Sequence, residues 1–233
     1  MKRQSLSDRI LYEDNHLIAV NKLPSEIVQG DKTGDVPLSE DVKQYIKERY
    51  GKPGNVYLGV IHRLDRPVSG VVVFARTSKA LARMNKLVHD REMKKIYWAI
   101  VKNKPEKEEG ELRHFLFRNE QKNKSFAYLT EKKGTKEAIL TYRLINSSKD
   151  YYLLEVNLKT GRHHQIRAQL AAIGCPIKGD LKYGFPRSNK DASISLHARS
   201  VSFTHPVTKK ILTITARPPQ DPLWNYFLTL EAE

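Results

Sequence analysis

Short apolar runs set off by polar turns open the chain. Residues 10–13 and 16–21 are two such runs joined by Asp14-Asn15, a pattern that predicts a β-hairpin. Ser39 stands where a cap belongs for a helix reaching about Tyr50. Val42, Tyr45, Ile46 and Arg49 fall at three- and four-residue spacing along it, and Gly51-Lys52-Pro53-Gly54 stops it. Residues 57–61 and 71–75 then read as strands on either side of a polar insert, His62-Arg63-Leu64-Asp65-Arg66-Pro67-Val68-Ser69-Gly70. Ser78 opens a second helix, whose Leu81, Met84, Leu87 and Val88 make one apolar stripe of ordinary core type. Residues 94–101 return as an aromatic, β-branched strand.

Beyond it, 103–110 is a polar surface loop. Residues 138–145 and 151–158 alternate around Asn146-Ser147-Ser148-Lys149-Asp150 and predict a second hairpin. Ile166, Leu170 and Ile173 mark a short helix over 164–173, ended by Gly174 and Pro176. Residues 195–203 and 211–216 are further strands, and Asp221-Pro222 begins a C-terminal helix through Leu230. With strands outnumbering helices and hairpins frequent, the expected class is α+β, a mixed, mainly antiparallel sheet with flanking helices. No internal repeat interrupts this, and one domain over 1–233 accounts for the length.

Composition narrows the partners. The 233 residues carry 41 Lys and Arg against 26 Asp and Glu, a formal charge of +15, and the 39% hydrophobic fraction is enough for a core. Such a cation attracts polyanions. The basic residues are spread along the chain and do not form one helical face, which favours nucleic acid over a membrane surface. Cys175 is the single cysteine, so an intrachain disulfide framework and a cysteine zinc cage are excluded, in keeping with a reducing compartment. The N-terminus, Met1-Lys2-Arg3-Gln4-Ser5, has no apolar stretch behind its charges, and the protein is read as cytoplasmic.

Two clusters carry candidate chemistry. The insert at 62–70 displays Asp65 between Arg63 and Arg66 at the end of a sheet, where a carboxylate suits catalysis but also suits an ordinary surface ion pair. In Thr160-Gly161-Arg162-His163-His164-Gln165-Ile166-Arg167, a glycine lets the chain turn and polar residues begin a helix. Its N–H groups and arginines suit an anion, and equally an ordinary basic helix start. A metal-dependent nuclease would have to use His62, Asp65, His89, Asp90, His163 and His164. Adjacent histidines on a helix point about 100° apart, and no ligand spacing supports such a site. His-Arg-Leu-Asp without a glycine-rich loop or Asp-Phe-Gly is not a kinase loop. Cys175 beside Pro176 lacks a placed base and reads as a semi-buried thiol. A non-catalytic RNA-binding protein remains the alternative that charge alone does not separate.

Taken together, the motifs resemble those of the RluA-type pseudouridine synthases. The run 62–70 is similar to that family's His-Arg-Leu-Asp-x-x-[Thr/Ser]-Ser-Gly signature. Lys95-Ile96-Tyr97-Trp98-Ala99 resembles its second motif, and 158–167 its third, continuing into Gly179-Asp180 and Tyr183-Gly184. Leu196-His197-Ala198 and Phe203-Thr204-His205-Pro206 resemble its C-terminal part. The resemblance implies the pseudouridine synthase fold with a central RNA-binding cleft, and isomerisation of a uridine in large-subunit ribosomal RNA or transfer RNA. It implies no cofactor or metal, and the expectation is a monomer with one catalytic domain over 1–233 and no separate N-terminal RNA-binding module. By the same resemblance Asp65 is the catalytic carboxylate, Tyr97 the aromatic against the target base and Arg167 the cation paired with Asp65. Arg63 fills the space of the extruded nucleotide, and His62, Arg66, Arg162, Gln165 and Ile166 join it in binding substrate. Three positions depart from the family: Val68 and His163 stand where threonine is usual, and Lys22-Leu23-Pro24-Ser25-Glu26 alters an early Lys-Pro-x-Gly pattern.

Overall fold

A computed structural model of the protein describes residues 5–31 and 33–230, so the reading of Met1–Gln4 lies outside the described residues. The chain packs as two compact units. One takes the chain up to Met93 together with Ala198–Arg217, and the other takes Lys94–His197 together with the chain from Pro218 onward.

The first unit opens with β1 (Ile10–Glu13) and β2 (Leu17–Lys22), the expected antiparallel hairpin. Its turn is set by Asp14, whose Oδ1 accepts the N–H of His16 and of Leu17, both at 2.7 Å. Helix α1 (Leu38–Arg49) begins one residue before the expected Ser39 cap. Pro37 stands at the cap position, and Ser39 is buried in the first turn. The first N–H groups go instead to the chain, Leu38 N to Ile27 O at 2.8 Å and Ser39 N to Val28 O at 3.2 Å, so no side-chain cap is needed. Val42 and Ile46 are buried, while Tyr45 is half-buried and Arg49 exposed. The strand expected over 57–61 shrinks to β3 (Gly59–Val60), because the preceding segment is irregular; Gly59 packs against Leu81. Strand β4 (Ser69–Ala75) is buried throughout and pairs antiparallel with β2 and β3. Helix α2 (Ser78–His89) is capped by Thr77, whose side chain accepts from Ala80 N at 3.1 Å, and its apolar stripe is core, as expected.

The second unit is a five-stranded antiparallel sheet made of β5 (Lys94–Val101), β6 (Glu109–Asn119), β7 (Lys124–Tyr128), β8 (Lys136–Ser147) and β9 (Tyr152–Leu158), in the order β5-β9-β8-β6-β7. β6 and β7 were not anticipated; the expected loop at 103–110 ends where β6 starts. Helix α3 (Gln165–Ala172) packs on β6 and β7. It is buried nearly all round, and Gln169 donates to the carbonyls of Leu112 and Ala138 at 3.0 and 3.1 Å. The chain then supplies β10 (Leu196–Thr204) and β11 (Ile211–Thr215), antiparallel over Ser200–Thr204 and Ile211–Thr215 in the first unit. It ends in α4 (Pro222–Leu230), capped as expected by Asp221 Oδ1, which accepts from Leu223 N at 3.0 Å. Trp224 and Phe227 of α4 bury against Trp98, Ile100 and Leu153.

Candidate active site

In the first unit the segment before β4 is a tight turn anchored from below. Leu64 and Val68 are buried, Arg63 is exposed and Asp65 is half-buried; the Asp65 carbonyl accepts Val68 N at 3.0 Å. Under this turn lies Lys22, fully buried. Its ammonium donates to the carbonyls of Leu23 at 2.9 Å, Arg66 at 3.1 Å and Val68 at 2.6 Å, all three of its hydrogens spent on backbone. Burial pulls the Lys22 amine down to about 7, against the opposing pull of the Glu26 and Asp65 carboxylates. The altered segment after Lys22 is also braced, since Glu26 accepts from Leu23 N at 3.0 Å and from the buried Arg9 at 2.8 Å. Arg66 reaches out to Asp35 at 2.5 Å and Thr33 at 2.9 Å. His62 turns back to the sheet, its Nε2 accepting Val73 N at 3.1 Å. Gly70, the second residue of β4, follows the turn at φ +118°, where an added Cβ would lie 2.3 Å from the Ala198 carbonyl oxygen.

In the second unit Tyr97 sits on β5 opposite Val156 of β9, only 8% exposed. The turn from β9 into α3 is tied by Gln165. Its Oε1 accepts from Thr160 Oγ1 and Arg162 N, both at 2.9 Å, and its Nε2 donates to Ile139 O at 3.1 Å. His164 takes the left-handed conformation at φ 52° that starts α3, and stacks on His163 with ring centroids 3.8 Å apart. Burial, with the adjacent Arg167 charge, holds the His164 imidazole down to about 2, so it is neutral. One turn on, the buried Arg167 donates Nε to Asp180 Oδ2 at 2.7 Å and Nη2 to Asp180 Oδ1 at 2.9 Å. Its guanidinium carbon lies 5.0 Å from the centre of the Tyr183 ring. The Tyr183 hydroxyl accepts Ser125 N at 2.8 Å and pairs with His164 Nδ1 at 3.0 Å.

A family model described as RNA pseudouridylate synthase matches residues 16–172, which take in the Asp65 turn, Tyr97 and the start of α3. The chain belongs to that family. It is 33% identical over 234 residues to tRNA pseudouridine synthase C of Vibrio vulnificus, covering 93% of this chain and 92% of the relative. It is 34% identical over 213 residues to dual-specificity RNA pseudouridine synthase RluA of Haemophilus influenzae, covering 89% and 92%. Ribosomal large subunit pseudouridine synthase D of Zymomonas mobilis is 31% identical, covering 94% of this chain and 71% of that one. Among solved structures, human RNA pseudouridylate synthase domain containing 4 shares the fold at a TM-score of 0.81 and 22% identity, covering 95% of this chain and 93% of its own. The protein is therefore an RNA pseudouridine synthase, an isomerase.

Of the residues expected at the synthase site, the structure gathers His62, Arg63, Asp65 and Arg66 on one turn of the first unit, and Tyr97, Arg162, Gln165, Ile166 and Arg167 on β5 and the α3 start of the second. Gln165 and Ile166 are buried, and Arg162 gives Nε to Glu137 O at 3.0 Å. Three contributors were not singled out from sequence. Lys22 was noted only as part of a departure, and Asp180 and Tyr183 only as motif letters. The signal available was a lysine closing a mostly apolar strand and an Asp-x-x-Tyr spacing after a glycine. Cys175 is fully buried, not semi-buried, and burial raises its thiol pKa. Among the described residues no group of three or more His, Cys, Asp or Glu is placed to hold a metal ion. Nor, among them, is any helix long and apolar enough to cross a membrane. An open groove of about 490 Å³ in the second unit, lined by Ile96, Thr141, Tyr142, Arg143, Glu155 and Asn157, takes in none of the expected residues.

Proposed function

We propose that this synthase converts a particular uridine of a structured RNA, in large-subunit ribosomal RNA or transfer RNA, with Asp65 as the reacting carboxylate. Tyr97 offers the flat face for the base and Arg167 is the supporting cation. In the conversion the bond from uracil N1 to the ribose C1′ breaks and one from C5 to C1′ forms; C5 loses a proton, N1 gains one, and no electron leaves. The observation that carries the role of Asp65 is the turn around it: a half-exposed carboxylate on backbone whose carbonyls are pinned by the buried Lys22 ammonium. A group meant for solvent alone needs no such support. Relatives named for transfer RNA and for the large ribosomal subunit have similar identities, which supports keeping both substrates.

Arg63, exposed on the same turn, is the long planar cation suited to occupy the gap left when the uridine swings out. Arg66 and Arg162 contact the RNA backbone, and His62, Gln165 and Ile166 also serve in binding substrate. We further propose that the enzyme is monomeric and cytoplasmic. The test is tritium release from transcripts labelled at uridine C5, after mapping the modified uridine in RNA from cells with and without the gene. Asp65→Asn should abolish release and leave RNA affinity nearly unchanged; if the variant still releases tritium at the wild-type rate, the assignment is wrong.

A further inference from the structure

Arg167 is held from two sides, and the holders lie on a segment whose backbone is shaped for the purpose. Asp180 is 1% exposed and takes the guanidinium edge-on through both oxygens, a fork-to-fork geometry that fixes the plane of the group. Tyr183 lies three residues on, across a 3-10 turn in which Tyr183 N donates to Asp180 O at 3.1 Å, and its ring covers the guanidinium. Gly179 precedes them at φ +87°, where an added Cβ would sit 2.8 Å from Asn189 and from the Ser193 carbonyl oxygen. The ring is itself locked by Ser125 N and His164 on its hydroxyl. A lone buried arginine needs a counter-charge, and a single contact would supply it. A bidentate carboxylate, a ring over the plane and a hydrogen-bonded hydroxyl do more, removing rotation about the long arginine stem.

We propose that Asp180 and Tyr183 are positioning residues for the isomerisation, acting through Arg167 by holding its guanidinium in one plane and one rotation. The assignment rests on the reading of Arg167 as the supporting cation. The clamp engages two of the five guanidinium N–H groups and sets the direction of the whole fork, so loosening it blurs the charge where the reaction needs it.

The experiment measures single-turnover tritium release on a transcript carrying the mapped uridine, RNA affinity by filter binding, and melting temperature. The variants are Asp180→Asn, Tyr183→Phe and Tyr183→Leu, each alone and combined with Arg167→Lys. D180N and Y183L should slow release roughly 10- to 100-fold, the scale on which catalytic groups respond to misplacement, with RNA affinity within about threefold. Y183F, which keeps the ring over the guanidinium and gives up only the bonds of its hydroxyl to Ser125 N and His164, should lose less than Y183L, staying within about threefold of wild type, since the ring makes the contact with Arg167. In the R167K background, D180N and Y183L should each cost less than about twofold more, the non-additivity expected of residues acting through one another. Equal losses in both backgrounds would overturn the clamp and leave Arg167 in place. If D180N fails to fold, Y183L, which leaves the ion pair intact, decides by the same comparison. R167K as fast as wild type would overturn the reading of Arg167, and the clamp with it.

Discussion

An ammonium whose hydrogens all point at backbone carbonyls works as a cross-link, and Lys22 joins the end of β2 to the turn that carries Asp65. Lys22→Met keeps the volume and removes the cross-link; release should fall by at least about tenfold, with the loss in rate and not in RNA affinity, because displaced catalytic groups are penalised on that scale. Its titration is separately visible. The folded amine sits at about 7, well below the ordinary 10.5, so between those values the unfolded chain binds the extra proton and this group's contribution to stability rises with pH. Denaturant titrations from pH 7 to 10 should show wild type gaining on K22M by up to about 1.4 kcal/mol per pH unit. His164 acts at the acid end. Held neutral down to about 2 in the fold, it favours the unfolded chain as pH drops below its ordinary 6.5, so stability is lost progressively over that window. His164→Asn, which tolerates the left-handed backbone, should flatten the acid side of the stability profile. Sequence alone pointed to Asp65, Tyr97 and Arg167. It did not reveal their supports, because a buried lysine and a buried carboxylate are legible only once burial is known.

At the scale of elements, hairpins and helices with a clear period and a stop signal were readable, and the capping pair Asp221-Pro222 was read correctly. Asp221→Ala should cost α4 about 1 kcal/mol by thermal or denaturant unfolding. β6 escaped because its outward face passes from charged Glu109, Glu111 and Arg113 to Phe115 and Phe117 while its inward one includes Gly110 and His114, so apolar alternation fails. The strand is specified instead by its register with β8, from Glu109↔Arg143 to Leu116↔Lys136. The Ser39 cap failed for a related reason: tertiary carbonyls from Ile27 and Val28 had already taken the first N–H groups. Gly70, the last residue of the Asp65 motif, belongs to a strand and not to a loop. Its positive φ and its contact with the Ala198 backbone leave no room for a side chain, so Gly70→Ala should destabilise by more than about 3 kcal/mol or prevent folding, as strain together with overpacking does. Circular dichroism and melting temperature would show it, and a well-folded G70A would contradict the close approach.

For the whole molecule, the surplus of +15 is the property that a polyanionic substrate meets first. RNA affinity should fall linearly on logarithmic axes as salt rises, by about 0.7–0.9 per phosphate contact, and neutralising Arg63 or Arg66 should each lower that slope by about one contact. A slope near zero would contradict phosphate recognition. The charge and the class of fold were legible from composition and pattern, while the partition into two units was not, since it depends on which distant segments rejoin.

That partition has a consequence for how the enzyme can be cut. The polypeptide passes between the units three times, after Met93, His197 and Arg217. No single break therefore separates the two units, each whole and by itself, onto its own fragment. A nick after Met93 strands Ala198–Arg217 on the wrong piece, and a stop codon after His197 deprives both units of material at once. Dissection of this synthase into its two units has to proceed by point substitution or by permuting the termini.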